Sequence, residues 1–405
     1  MTPRQLAIQV TNKLQQAGFQ ALWAGGCVRD SLLKIAPKDF DIATSATPDQ
    51  VQELFGFKKT LAIGKSFGVI TVIGPKSAGN IEVATFRRDG GYSDGRRPDS
   101  VEFTDAKVDA FRRDFTINGM FFDPISEEVI DYVDGQADVD RKLIRAIGDP
   151  AKRIEEDRLR MLRGVRFAAT YKFEIEAETM AAIQKRAADI DSVSPERIGA
   201  ELRRMLDHGN KSRALELLID SGLWEQVLPK GMRGFALWNE RFILLKHLNS
   251  DFPTTLAALL QGTGFSASDL QDSWRLTNEE VSKTNWILGN HNQLSAAGDL
   301  KWSELQPLLI SEHAKSAVDL MQAMIDAGSD EVSLQPSVLL CREKLNLEPL
   351  DLDPKPLLCG KDLKELGMTP GPRFKSILDQ VRNLQLDGEL MTPEQARQWV
   401  VDSPN

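Results

Sequence analysis

The chain has little of several residues that usually announce a site. Only three of its 405 residues are cysteine (Cys27, Cys341 and Cys359), far apart and without C-x-x-C spacing. That pattern excludes a readable disulfide framework or zinc site and points to a reducing cytoplasm. The four histidines, His208, His247, His291 and His313, are scattered, none of them near the N-terminus and none in a His-Asp doublet. Aromatics make up 7%, and no run of about 18 apolar residues exists, so a membrane span is not expected. The opening MTPRQLAIQVTNKLQQAG has the periodicity of an amphipathic helix in place of the apolar core of a secretory signal. There is no internal repeat and no low-complexity tract.

What is present, 41% hydrophobic and 27% charged residues, describes a soluble protein long enough for several cores at roughly 100–200 residues per domain. Fifty Lys and Arg against 59 Asp and Glu leave a net charge of −9, from which a polyanion would not be guessed as a partner. The charge is not uniform, however. Residues 141–170 hold nine basic and four acidic residues, a local balance of +5.

Residues 1 to about 148 alternate helical patterns with short β-rich runs. Leu6, Ala7, Val10 and Leu14 give the first helix one apolar face. Then come the strand ALWA before Gly25-Gly26, a helical VRDSLLK, the short strand DFDIAT and a helix from Pro48 to Phe55. GVITVIG and NIEVATF form two adjacent strands across a turn from Gly74 to Gly79, and residues 87–99 are expected to be a polar, glycine-rich, mobile loop. From Pro150 onward the pattern is helical, with breaks expected at Ser194-Pro195, Pro229 to Gly234, Gly289 and NLEPLDLDPKPLL. The fold class is therefore α+β, a mixed α/β head with a short sheet followed by an all-α remainder.

Three features of the head belong together. Gly25-Gly26 ends a strand and opens a helix, where missing side chains let the backbone approach a phosphate; a plain turn has the same sequence. In Asp39-Phe40-Asp41, residues two apart on a strand share a face, so both carboxylates project together while Phe40 points to the core. Paired carboxylates repel unless a cation lies between them, and hard oxygen donors suit Mg²⁺; a surface pair is the alternative. Glu82, an acid between Ile81 and Val83, completes the cluster if its strand lies beside DFDIAT, and is otherwise an exposed edge residue.

This order, a Gly-Gly turn, about a dozen residues, D-x-D and a later acid, resembles the polymerase β-type nucleotidyltransferases. RRDFTINGM from Arg112, EEDRLRMLRGVRFA from Glu155 and SPERIGAELRRML, with GKDLKELGMTPGPRFKSIL near the C-terminus, narrow the resemblance to class II CCA-adding enzymes and bacterial poly(A) polymerases. The resemblance implies a nucleotidyltransferase head (1–148), a helical neck (149–213), a helical body (214–345) and a tail (346–405). It implies Mg²⁺ as cofactor on Asp39 and Asp41, with Glu82 as a third catalytic acid, CTP and ATP as substrates and the tRNA 3′ acceptor end as partner. Nucleotide contacts fall on Gly25, Gly26, Arg29 and Arg113, with Asp114 and Asn118 bracing the sugar end or serving structure alone.

Asp157, Arg160, Arg163 and Arg166 recur at spacing three, which on one α-helix offsets neighbours by about 60° and lets them act in pairs. A solvated face with i,i+3 ion pairs has the same pattern. Under the resemblance, Asp157 and Arg160 template the incoming base, while Arg163 and Arg166 face the phosphates or hold the template. Cytosine and adenine both offer an amine beside a ring-nitrogen acceptor; uracil and guanine offer a carbonyl in place of the amine. The loop 87–99 corresponds to the segment used in changing from C to A addition. Gly64 is followed by Lys65-Ser66 and not by the basic pair of poly(A) polymerases, which favours tRNA end repair; addition of A alone, poly(A) synthesis and a non-catalytic RNA-binding scaffold are the alternatives. RNA contacts are expected at Arg197, Arg203, Arg204, Lys211 and Arg213.

Overall fold

Thr2 and Gln5 form a capping box, each side chain bonding the other's backbone N–H, and Pro3 opens the first turn of α1 (Pro3–Gln16). Its buried stripe is Leu6, Ala7, Val10 and Leu14, as the periodicity requires. A computed structural model describes residues 1–91, 100–234, 238–328 and 331–402. The chain forms two units, Met1–Arg233 and Gly234–Asn405.

In the first unit α1 leads to β1 (Ala21–Ala24), α2 (Gly26–Leu32), β2 (Asp41–Thr44), α3 (Pro48–Phe55), β3 (Thr60–Leu61), β4 (Val69–Ile73) and β5 (Asn80–Thr85). A short hairpin, β6 (Arg87–Asp89) with β7 (Val101–Phe103), precedes α4 (Ala106–Phe111), β8 (Phe121–Asp123) and β9 (Glu128–Ile130). The main sheet has the order β3-β4-β5-β2-β1-β8-β9, antiparallel except for the β2–β5 pair. Leu22, Ala24, Ala43, Phe86, Ala106, Ala110 and Phe121 form a core cluster beneath it.

Next come α5 (Gly135–Arg141), β10 (Leu143–Ile144), α6 (Pro150–Glu156), α7 (Arg160–Tyr171), β11 (Glu174–Ile175), α8 (Ala177–Arg186), α9 (Pro195–Leu206) and α10 (Lys211–Asp220). The remainder after 148 is thus not purely helical, because β11 pairs in parallel with β10. The second unit is helical, from Trp238–His247 to Pro393–Asp402, and its last segment has its own cluster of Leu358, Leu363, Val381, Leu390 and Ala396. Among the described residues no helix is long and apolar enough to cross a membrane.

Three local expectations are corrected. Gly289 breaks nothing; it lies within the helix Asn278–Ser295, where one glycine costs only about 1 kcal/mol. Residues 87–89 are not loop but strand, paired with 101–103; residues 92–99 of that expected loop lie outside the described residues. Most consequentially, Asp157 is not on a helix with the three arginines. Helix α6 ends at Glu156, Asp157 is extended (φ −146°, ψ 103°), and α7 begins at Arg160.

Candidate active site

The site begins where β1 ends. Ala24 pairs with Asp41 on one side of β2 and Glu82 with Asp41 on the other, so the glycine turn and two acids share one sheet end. In-register residues of neighbouring strands face the same side, which puts Glu82 beside Asp41 as the third-acid reading requires. Gly25 has φ +69°, and a Cβ on it would lie 3.2 Å from Arg113 Nη1. The turn therefore needs glycine both for its backbone and for the arginine that crosses it. The strand starts at Asp41 and not at Asp39, yet the alternation persists: Asp39 and Asp41 are exposed, while Phe40 is buried edge-on against Trp23 with ring centroids 4.7 Å apart.

Asp41 is held above the usual carboxylate range, at about 6, because its surroundings strip hydration and Glu82 and Asp39 add like charge; Arg113 opposes them. All three acids offer hard oxygen, and their mutual repulsion is the condition a divalent cation relieves. The donor set therefore fits Mg²⁺. Among the described residues no three His, Cys, Asp or Glu side chains already converge to hold a metal, so the acids are neighbours and not a closed cluster. Cys27 is buried, its thiol pushed up to about 11 by that burial, in keeping with a packing role.

Arginines are gripped around this end. Arg29, 7% exposed, donates to Asn118 Oδ1 (2.6 Å) and to Asp30 Oδ1, and its guanidinium lies over Phe167 and Tyr171. Tyr171 Oη donates to the same Asp30. Arg163 donates from Nε and Nη2 to Asp114 Oδ2 (2.9 and 2.6 Å), and Asn118 Nδ2 donates to Asp114 Oδ1. Burial works to raise the Asp114 carboxyl, but the Arg163 charge and these bonds hold it down at about 2.

At the far end stands the Asp157–Arg160 pair. Asp157 Oδ1 accepts from Leu159 N (3.1 Å), which shapes the break between α6 and α7, and Oδ2 accepts from Arg197 Nη2 (2.8 Å). Arg160 donates from Nη1 to Arg153 O and Glu156 Oε2, and from Nη2 to Arg112 O. A carboxylate has about four acceptor positions and a guanidinium five N–H groups, so both keep capacity for a base edge.

One cavity of about 430 Å³ joins the two ends. Of the residues singled out in the sequence it is lined by Gly25, Gly26, Arg29, Asp41, Arg113, Asp157, Arg160 and Arg163, with Asp114 and Asn118. Asp39 and Glu82 stand beside Asp41 without lining it, and Arg166 turns away to Glu201 (2.5 Å) beneath Phe167. The cavity also takes in Arg87 and Asp89 from the segment 87–99, Arg112 from the RRDFTINGM motif, and Phe167; the sequence had singled out none of these four as a site residue. Phe167 carried no signal, since an aromatic within a helix is usually core. Asp109, 1% exposed and bonded to Arg112 and Arg113, carried one, the i,i+3 and i,i+4 spacing. Among the expected RNA contacts, Lys211 is corrected: it is buried at 2% exposure. Arg197 is committed to Asp157, and Arg213 pairs with Glu174 and Glu216.

Comparison with known proteins places this geometry. Residues 21–145 match the family described as Poly A polymerase head domain, and residues 172–233 match the probable RNA and SrmB-binding site of polymerase A. A CCA-adding enzyme of Lactobacillus gasseri is 32% identical over 401 residues, spanning 96% of this chain and 95% of that one. The CCA-adding enzyme of Pediococcus pentosaceus is 43% identical over 385 residues, spanning 94% and 93%. Among solved structures, the Bacillus stearothermophilus CCA-adding enzyme in complex with CTP superposes with a TM-score of 0.81 at 28% identity, covering 99% of this chain and 98% of that one.

Proposed function

The chain belongs to the family of CCA-adding enzymes, and from that premise we propose that it builds or repairs the 3′-terminal CCA of tRNA from CTP and ATP. The RNA 3′-oxygen attacks the α-phosphorus of the nucleotide, the bond from that phosphorus to the pyrophosphate oxygen breaks, and pyrophosphate leaves. One observation carries the reading: a single cavity has a glycine turn with Asp41 at one end and a hydrogen-bonding pair suited to C and A at the other.

The chain's own groups divide the work. Asp157 accepts from the exocyclic amine of cytosine or adenine, and Arg160 donates to the adjacent ring nitrogen; uracil and guanine would set carbonyl oxygen against carboxylate. Arg197 and Glu156 keep the pair oriented, so the selection does not wait for side chains to order. Arg29, Arg113 and Arg163 supply positive charge along the cavity for the triphosphate. Asp39 and Asp41, with Glu82 beside them, would hold Mg²⁺, which when bound lowers the pKa of the RNA hydroxyl and neutralises charge on the phosphates. No histidine lines the cavity, and none is required as a base. Three unpaired cysteines suit work in a reducing cytoplasm.

Base choice tests the reading. Arg160→Ala, assayed for single-nucleotide incorporation with all four nucleotides, should relax discrimination against UTP and GTP more than it slows the best nucleotide. Unchanged discrimination would remove Arg160 from the template.

A further inference from the structure

The carboxylate of Asp109 lies on α4, one turn before two arginines of the cavity wall. Its Oδ2 accepts from Arg113 Nε and Nη2 (3.1 and 2.9 Å), and its Oδ1 accepts from Arg112 Nε (2.9 Å), with Arg112 Nη2 at ion-pair distance (2.8 Å). Oδ1 also accepts from the Arg87 backbone N–H at 3.2 Å, at the root of the β6–β7 hairpin. At 1% exposure Asp109 does not line the cavity, so substrate cannot touch it. Burying a carboxylate is costly unless its oxygens are fully bonded, and here the Arg113 fork and the Arg112 guanidinium do that.

The arrangement leaves Arg113 one usable edge. Its Nε/Nη2 edge is taken by Asp109, its plane lies over Phe121 with the guanidinium carbon 4.9 Å from the ring centroid, and Nη1 projects across the glycine turn to within 3.2 Å of where a Gly25 Cβ would sit. A guanidinium gripped on two atoms cannot swing about its last bonds as a lysine ammonium does.

We propose that Asp109 is a positioning residue for nucleotide transfer: it clamps Arg112 and Arg113 from behind so that Arg113 Nη1 is already aimed at the bound nucleotide above Gly25. This rests on the reading of the cavity as a nucleotide site. Asp109 acts through Arg113, and its effect is felt by the nucleotide and not by the RNA end.

The test is a double-mutant cycle on the full chain with tRNA ending in CC, reading the ATP KM, the tRNA KM and kcat. Asp109→Asn should raise the ATP KM roughly 10-fold or more, as misplaced contacts commonly do, and leave the tRNA KM near normal. Against an Arg113→Ala background the same change should have little further effect on the ATP KM. An equal loss in both backgrounds, or a rise shared by the tRNA KM, would mean a merely structural role and overturn the proposal. Should Asp109→Asn fail to fold, Arg113→Lys carries the test, since it keeps the charge but cannot be gripped on two atoms. Its ATP KM should rise about as far as that of Arg113→Ala, and a near-normal KM would overturn the clamp. No incorporation by the unaltered chain would instead sink the nucleotide-site reading beneath it.

Discussion

Two aspartates of the site sit on opposite sides of the ordinary carboxylate range, and each makes a prediction with its own sign. Asp41, crowded by lost hydration and by Glu82, is raised to about 6 from 3.8, so the folded chain holds its proton more tightly than the unfolded chain does. The stability this gives is complete below about pH 4 and lost as pH rises through about 6. Without divalent cations, Asp41→Asn should therefore melt above the parent at pH 7, the gap closing near pH 4. Added Mg²⁺ should raise the parent's melting temperature and leave the variant's where it was. A variant that melts below the parent at pH 7 would contradict the crowding, and an equal response to Mg²⁺ would contradict the metal assignment. Asp114 has the opposite sign: burial works against its charge, yet Arg163 and its hydrogen bonds hold it at about 2. Its contribution is present above about pH 4 and lost as pH falls through 2. Asp114→Asn should cost roughly 2 kcal/mol at pH 7, read from urea unfolding, and almost nothing near pH 2.

At the scale of elements, the junction of α6 and α7 matters more than either helix. The spacing of Asp157, Arg160, Arg163 and Arg166 suggests one continuous helix, because nothing between Glu156 and Arg160 is glycine or proline. The break comes from a side-chain bond, Asp157 to Leu159 N, which competes with the helical ladder. Asp157, extended at that break, lines the cavity, while Arg166 on α7 pairs with Glu201. The strand pattern was legible where polar and apolar residues alternate, through residues 39–42 and 80–83, and the register then set Glu82 beside Asp41. Of the partners that orient the site, Asp109 and Glu156 stand three or four residues from the arginines they hold, a spacing the sequence shows, whereas Arg197 meets Asp157 from an element 40 residues away and was not legible as its partner. Phe167 is the slab common to Arg29, Arg163 and Arg166, with their guanidinium carbons 5.2, 5.3 and 4.1 Å from its ring centroid. Phe167→Leu keeps the apolar volume but removes the ring face, each such contact being worth about 0.5–2 kcal/mol. It should weaken CTP and ATP binding several-fold in equilibrium titration, with a smaller fall in melting temperature. Unchanged nucleotide affinity would show that the arginines need no aromatic support.

For the whole molecule, a net charge of −9 and a local +5 in residues 141–170 are reconciled by where the charge is spent. Much of that basicity is committed internally, Arg153 and Arg160 to Glu156, Arg163 to Asp114 and Arg166 to Glu201, so it shapes a nucleotide site more than it coats a surface. RNA affinity should fall as salt rises, at about 0.7–0.9 in logarithmic slope per phosphate neutralised. The central claim, that a protein template adds C and A in order to tRNA, is tested most directly by end-labelled tRNAs lacking the tail, ending in C, and ending in CC. Each is incubated with Mg²⁺ and either CTP or ATP, and products are sized to single nucleotides. Expected are C on the first two, A on the CC end alone, and a stop after that A; A added only to CC with no C incorporated anywhere, or long A tracts on any RNA, would contradict it.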